Sequence, residues 1–141
     1  MPRLLDLTTM PSDPNCYCFI DSETRALPGT GYPDHDVTHC GAYRYAKSAF
    51  PVMWTYAIGE QPVEIMALDD GFHERLTWNF DAEQLHDFHE RAMRGEAWFV
   101  AWNMAFDREI WNSANSDFPE MREYMSLDAM VQAGASGLPG K

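Results

Sequence analysis

A run of six apolar residues, AWFVAW from Ala97 to Trp102, constrains the fold more than any other stretch of this sequence. A helical pattern precedes it over Asp81–Gly95, and a second helical pattern follows it over Asn103–Ala114. Runs this short and this apolar are typical of strands that are buried on both faces, which occur in parallel sheets whose crossovers are helices. The run therefore predicts an α/β domain.

Other strand and helix patterns surround this run. We expect the first strand at Asn15–Ile20, and an antiparallel hairpin at Val52–Gly59 and Val63–Leu68, joined through the turn GEQP. Near the end, the sequence predicts a weaker strand at Met121–Ser126 and a helix at Leu127–Ala135. The order βββαβαβα indicates a three-stranded antiparallel meander followed by strands parallel to strand one, with flanking helices.

Length and composition fit a single domain over residues 1–141, with an irregular N-terminus (1–14) and a long polar loop (22–42). No apolar run approaches the ~20 residues that span a bilayer, so we expect no membrane partner and a cytoplasmic location. Three cysteines, two of them at Cys16 and Cys18, predict reduced thiols. The net charge of −12 argues against binding nucleic acid by bulk electrostatics, so a polyanion would require metal ions, a local patch or a basic partner.

Two carboxylates, Asp21 and Glu23, directly follow the first predicted strand. No helix begins there, so helix capping does not explain them. Clustered carboxylates repel one another unless a cation or a proton lies between them, and hard cations such as Mg²⁺ or Mn²⁺ prefer such oxygens. A solvated strand end is the alternative, because Asp-x-Glu is a common pattern in an acidic chain.

Asp107 supplies a third carboxylate. It lies four residues after Asn103, so both side chains share one face of the helix that follows the AWFVAW strand. Sites in such sheets gather beyond the carboxyl ends of neighbouring strands. We therefore expect Asp21, Glu23 and Asp107 to converge, which is the geometry needed for two metal ions about 3.5–4 Å apart acting on a phosphodiester.

The motifs IDSET and NMAFD resemble the first and second motifs of the DEDD superfamily of 3′–5′ exonucleases, which have a ribonuclease H-like fold. From Cys18 onward, nearly the whole chain is similar to the exonuclease domain of phage and bacterial family A DNA polymerases. The resemblance implies a proofreading-type enzyme that hydrolyses DNA phosphodiesters with Mg²⁺ or Mn²⁺ by a two-metal mechanism. It also implies a bacterial or phage-infected host cell.

The resemblance further implies a role for each matching residue. Asp21 would bridge both metals, Glu23 would hold the metal on the nucleophile side, and Asp107 would hold the second metal directly or through water. Thr24 would contact the 3′-terminal nucleotide of single-stranded DNA. Asn103 and Phe106 would line the substrate groove, Phe106 by packing against a terminal base.

The third motif of the family, Tyr-x-x-x-Asp or His-x-x-x-Asp on a later helix, has no clear counterpart. YMSLD, from Tyr124 to Asp128, matches the letters but comes soon after Asp107, where the family has a strand and an unrelated helix start. We expect the chain to end before the third-motif helix, as a C-terminally truncated fragment, a split subunit or a degenerate domain. Its partner would be a polymerase or the missing polypeptide. The alternative function is a catalytically idle module of the same fold that docks onto a polymerase or another replication partner.

Histidine and tryptophan residues offer weaker candidates. His35, His39 and Cys40 have a spacing compatible with zinc but lack a Cys-x-x-Cys partner, so a structural zinc site is a minor alternative. We expect His86 and His89 to be solvated on the polar side of the first helix. The tryptophans expected in the core are Trp54, Trp98 and Trp111, with Trp102 as an exception beside Asn103.

Overall fold

The computed structural model describes residues 9–26, 41, 45–46, 49–67, 83–113 and 118–135. This part of the chain forms an α/β fold with a five-stranded mixed sheet, in the order β3-β2-β1-β4-β5. The strands are β1 Tyr17–Ala26, β2 Ala49–Ile58, β3 Glu64–Ala67, β4 Trp98–Ala101 and β5 Ser126–Asp128. The helices whose full ranges are described are α1 Glu83–Met93, α2 Met104–Trp111 and α3 Ala129–Ala135, and residues 45–46 are also helical.

The sheet has the predicted strand directions. β1 pairs antiparallel with β2, and β2 pairs antiparallel with β3. β4 lies parallel to β1 and β5 lies parallel to β4, which confirms the crossover prediction. The β1–β4 pairing covers only Tyr17 to Phe19, whereas the β1–β2 pairing continues to Ala26. Residues 20–26 of β1 therefore extend beyond the segment that pairs with β4.

The prediction that the first strand ends at Ile20 is wrong. Asp21 and Glu23 lie inside β1, opposite Thr55 and Met53 of β2. Both carboxylates are exposed, so continuing the strand through them buries no charge, and β2 supplies backbone partners along the whole length. The beginning of the predicted loop 22–42 is thus strand, and residues 27–40 lie outside the described ranges.

The predicted strand at Met121–Ser126 is also misplaced. Glu123–Met125 form a 3-10 turn, and β5 follows at Ser126–Asp128. The Asn112 side chain explains the shift: its Oδ1 accepts from the Met121 N–H at 2.8 Å, and its Nδ2 donates to the Met121 carbonyl at 2.8 Å. These bonds take the backbone groups that a strand ladder would need at Met121.

An aromatic cluster holds α1 and α2 on one face of the sheet. Trp54 of β2 packs edge-on against Trp111 of α2, with ring centroids 5.3 Å apart, and Phe118 stacks on Trp111 at 4.3 Å. Phe99 of β4 joins the two helices within this cluster. Its ring centroid lies 5.4 Å from that of Trp111 and 5.1 Å from that of Phe88 of α1. Aromatic pairs of this kind contribute about 0.5–1.5 kcal/mol each beyond their burial. The predicted core positions of Trp54 and Trp111 are confirmed.

His89 is not solvated as predicted. It is buried, and its Nε2 donates to the Glu120 carbonyl at 2.8 Å while its ring lies against Phe99. The bond ties α1 to the segment that precedes β5. His86, one turn earlier on α1, is exposed as expected.

Cys16 and Cys18 are buried free thiols, as expected. Within the described ranges, none of the helices has the length and apolar character needed to cross a bilayer. The start of the first predicted helix at Asp81 and the zinc alternative at His35, His39 and Cys40 lie outside the described residues.

Two glycines, one at the end of α1 and one inside α3, should change the free energy of unfolding in opposite directions when replaced by alanine. Gly95 has φ +77°, and its N–H donates to the Ala92 carbonyl at 3.0 Å, as in a glycine-terminated helix. Gly95→Ala should lower the free energy of unfolding by about 1 kcal/mol, because a Cβ is strained in the left-handed region. Gly134→Ala, inside α3 and with open space around it, should raise that energy by roughly 0.5–1 kcal/mol. Urea denaturation measures both changes in the free energy of unfolding. Two changes of the same sign would contradict the backbone conformations assigned to Gly95 and Gly134.

Candidate functional site

The carboxyl ends of the parallel strands β1, β4 and β5 meet at one edge of the sheet, where α2 begins. Asn103 precedes α2, and its carbonyl accepts from the N–H groups of Phe106 at 3.1 Å and Asp107 at 3.2 Å. Its exposed side chain makes no capping hydrogen bond. The first turn of α2 therefore carries Phe106 and Asp107 from this edge toward the part of β1 that extends beyond β4.

Asp107 is the central residue of this edge. Its side chain is only 5% exposed, and the Ser22 hydroxyl donates to its Oδ1 at 2.7 Å. Burial raises the pKa of the Asp107 carboxyl from 3.8 to about 6. The Ser22 hydrogen bond opposes this rise, while the nearby charges of Asp21 and Asp128 add to it. The strongest electrostatic neighbours that disfavour the charged form are thus other carboxylates.

This arrangement favours a cation. A buried carboxylate beside other carboxylates is costly when ionised, and the cost falls when the acid takes up a proton or when a positive charge enters. Oxygen-only donors suit Mg²⁺ or Mn²⁺ better than softer metals. The donor chemistry around Asp107 therefore fits the predicted metal.

Asp128 belongs to the same edge, although sequence reasoning did not assign it there. It ends β5, and its Oδ1 accepts from the N–H groups of Met130 at 3.0 Å and Val131 at 3.1 Å, which caps α3. Had the last strand been placed correctly, the rule that sites gather at strand ends would have found it.

The three predicted metal ligands are not gathered into one cluster. Within the described ranges, no group of three or more His, Cys, Asp or Glu side chains lies close enough to hold a metal ion. Successive side chains of a strand alternate between faces, and Ser22 faces α2. Asp21 and Glu23 therefore lie on the opposite, exposed face. Asp21 still reaches Asp107 electrostatically, since its charge is one of the causes of the raised pKa of Asp107.

Two predicted substrate residues are brought together through a third residue. The Thr24 hydroxyl lies 3.0 Å from the Tyr45 hydroxyl, and the Tyr45 ring lies 6.0 Å from the ring of Phe106. Tyr45 is buried. It falls between the predicted loop and the second strand, where no sequence period points to it, so sequence reasoning missed it.

The YMSLD match does not have the geometry of a third motif. Tyr124 lies in the 3-10 turn before β5, and its hydroxyl donates to the Met93 carbonyl at 3.0 Å. Asp128 lies at the other end of β5. The two residues thus do not share a helical face.

Trp102 is the exposed tryptophan that the sequence singled out. Its side chain is 49% exposed, and its carbonyl accepts from the Met130 N–H at 3.2 Å, which fixes its backbone against α3. Trp98, by contrast, is half-buried and stacks on Tyr17, with centroids 6.1 Å apart.

The raised pKa of Asp107 predicts a pH-dependent stability. The folded chain binds this proton more tightly than the unfolded chain, so the contribution is full below about pH 4 and is lost as the pH rises through 6. Asp107→Asn keeps the acceptor for Ser22 and removes the charge. In EDTA it should raise the free energy of unfolding at pH 7.5 by on the order of 2 kcal/mol, and change it little at pH 4.

Urea denaturation of both proteins at the two pH values measures the difference. Asp21→Asn should act in the same direction by a smaller amount, because Asp21 is a lesser cause of the shift. A variant that is less stable than the wild type at pH 7.5 would show that ionised Asp107 stabilises the fold.

Comparison with known proteins identified no relative of this chain. The chain matches no protein-family model, and no curated protein matches it. The likeness to DEDD exonucleases accordingly rests on the motifs IDSET and NMAFD, on their order and on their sequence context.

Proposed function

We propose that the protein is a metal-dependent 3′–5′ exonuclease of the proofreading type, with a ribonuclease H-like fold, acting on single-stranded DNA ends. The observation that carries the proposal is the buried carboxyl of Asp107, held by Ser22 and flanked by the charges of Asp21 and Asp128. A carboxyl in such a setting is costly for the fold, and groups with strongly perturbed pKa values concentrate at functional sites.

The acidic residues of the first two motifs are assigned to metal binding. Asp21, Glu23 and Asp107 are the proposed ligands of Mg²⁺ or Mn²⁺. When bound, these ions would supply an activated water and neutralise the charge that develops on the leaving oxygen. Since Asp21 and Glu23 lie on the exposed face of β1, they are accessible to ions from solvent. Asp107 lies beside Ser22 on the other face of β1, so its carboxylate would have to move toward these ions when they bind.

Substrate contacts come from the same edge. Thr24 lies on β1, Asn103 precedes α2, and Phe106 lies in the first turn of α2. Phe106 would pack against the terminal base, where stacking is worth about 1–3 kcal/mol. The Asn103 side chain, exposed and not used for capping, is available to the nucleotide.

A catalytically idle docking module is the second candidate. The lack of a three-ligand cluster in the described residues favours it. The net charge of −12 also suits a basic protein partner. In either case the proposed partner is a polymerase, or a polypeptide that carries a Tyr-x-x-x-Asp helix. The cheapest discriminator is the sequence encoded downstream, inspected for that helix and for polymerase motifs.

Metal binding is the first test. Mn²⁺ or Mg²⁺ should bind the chain more weakly than a site with four carboxylates, because the number and charge of ligands set the affinity for hard cations. Isothermal titration calorimetry should show binding that disappears in Asp21→Ala. Asp87→Ala, which removes an exposed carboxylate on α1 away from this edge, is the matched control and should bind normally. Unchanged binding by Asp21→Ala would remove the ligand assignment.

Cleavage is the second test. Alone, the chain should degrade 5′-labelled single-stranded DNA very slowly or not at all, because none of the proposed site residues orients the attacking water, and positioning of the nucleophile can account for several orders of magnitude in rate. A polypeptide that supplies the Tyr-x-x-x-Asp helix should restore metal-dependent cleavage, and Asp107→Ala should abolish it again.

The outcomes separate the two candidates. Strong cleavage by the chain alone that is lost in Asp128→Ala would restore YMSLD as a functional motif. Absence of cleavage in every combination, together with binding to a polymerase, would support the docking module.

A further inference from the structure

Tyr45 connects the two elements that carry the proposed substrate residues. Thr24 belongs to β1 and Phe106 belongs to α2, and these elements are far apart in sequence. The Tyr45 hydroxyl lies 3.0 Å from the Thr24 hydroxyl, and its ring contacts the ring of Phe106 at a centroid distance of 6.0 Å, with the planes tilted by 32°. A single buried side chain thus touches both.

The contact with Thr24 lies at an irregularity in the pairing of β1 with β2. The pairing register between β1 and β2 shifts between Glu23 and Thr24, so the ladder alone does not fix the orientation of Thr24. A hydroxyl side chain can occupy three staggered rotamers. The hydrogen bond to Tyr45 selects among them.

The contact with Phe106 constrains the proposed substrate residue that belongs to α2. Phe106 is half-buried and immediately precedes Asp107 in the first turn of α2. Its ring contacts the ring of Tyr45, and this contact restricts the orientations that the Phe106 ring can adopt. Stacking platforms depend on such a defined ring, because a mobile ring loses rotamer entropy on binding.

We propose that Tyr45 is a positioning residue that fixes Thr24 and Phe106 for the 3′-terminal nucleotide of a single-stranded nucleic acid. The inference rests on the proposed function, since it takes Thr24 and Phe106 as substrate contacts. The hydroxyl is the informative group: packing against Phe106 requires only a ring, whereas the bond to Thr24 requires the oxygen as well.

The test is a double-mutant cycle on nucleic-acid affinity. Tyr45→Phe removes the hydroxyl and keeps the ring, and Thr24→Val removes the partner hydroxyl with little change of shape. The dissociation constant for a 5′-labelled oligothymidylate is measured by fluorescence anisotropy in Ca²⁺ at low salt, with thermal melts of each variant. Each single change should weaken binding by about three- to tenfold, and the double variant should bind no more weakly than the more affected of the two single variants.

Tyr124→Phe is the matched control, because it deletes a tyrosine hydroxyl that donates to the Met93 carbonyl, away from the carboxyl edge of the parallel strands. It should leave the affinity unchanged. Wild-type affinity in Tyr45→Phe, or losses that multiply in the double variant, would overturn the positioning role. A loss of affinity in Tyr124→Phe that follows its melting temperature would do the same, since it would indicate a general effect of stability.

The failures of the two proposals are distinguishable. A chain that binds the oligothymidylate but never cleaves it with any third-motif polypeptide contradicts the exonuclease, while the cycle still decides the role of Tyr45. A wild-type chain that binds no oligothymidylate overturns the inference about Tyr45 directly.

Discussion

The candidate site depends on a mismatch in length between two parallel neighbours. β1 has 10 residues and β4 has 4. The last part of β1 therefore pairs with β2 on one side and is not paired with β4 on the other. α2 begins where β4 ends and runs beside this part of β1. The hydrogen bond from Ser22 to Asp107 is the contact that joins them. A β4 that matched β1 in length would have filled this place with backbone pairing and left no room for a carboxyl between strand and helix.

The same place is where the fold accepts an electrostatic cost. The aromatic cluster around Trp111 anchors the far end of α2, so the helix remains docked even though its first turn carries a buried acid. Aromatic packing at the C-terminal end of α2 thus offsets the electrostatic cost of the buried acid at its N-terminal end. Functional sites in general are not optimised for stability. Since Asp21 and Asp128 carry the same sign as Asp107, the molecule gains most from whatever positive charge arrives there.

How far the sequence predicted the structure depended on whether local patterns or distant partners decided each feature. The apolar run before Asn103 and the glycine at Gly95 are local signals, and the strand, helix end and parallel direction that they predicted are present. The extension of β1 past Ile20 required knowledge of β2 as a partner. The start of β5 required the Asn112 side chain, which comes from another element. Among site residues, Asp107 was found through its position at a strand end, whereas Tyr45 has no local pattern and is defined only by its contacts.

The outer strand of the described sheet has a consequence for the behaviour of the protein in solution. β3 is short, and the exposed apolar side chains Val63 and Ile65 (64% and 58%) flank Glu64 there. Such an edge is a template for pairing with another chain, and charge is a common means of preventing it. At neutral pH the net charge of −12 keeps copies apart. Acidification or high salt weakens that repulsion, so the tendency of copies to pair along β3 should depend on pH and ionic strength even where the fold itself is stable.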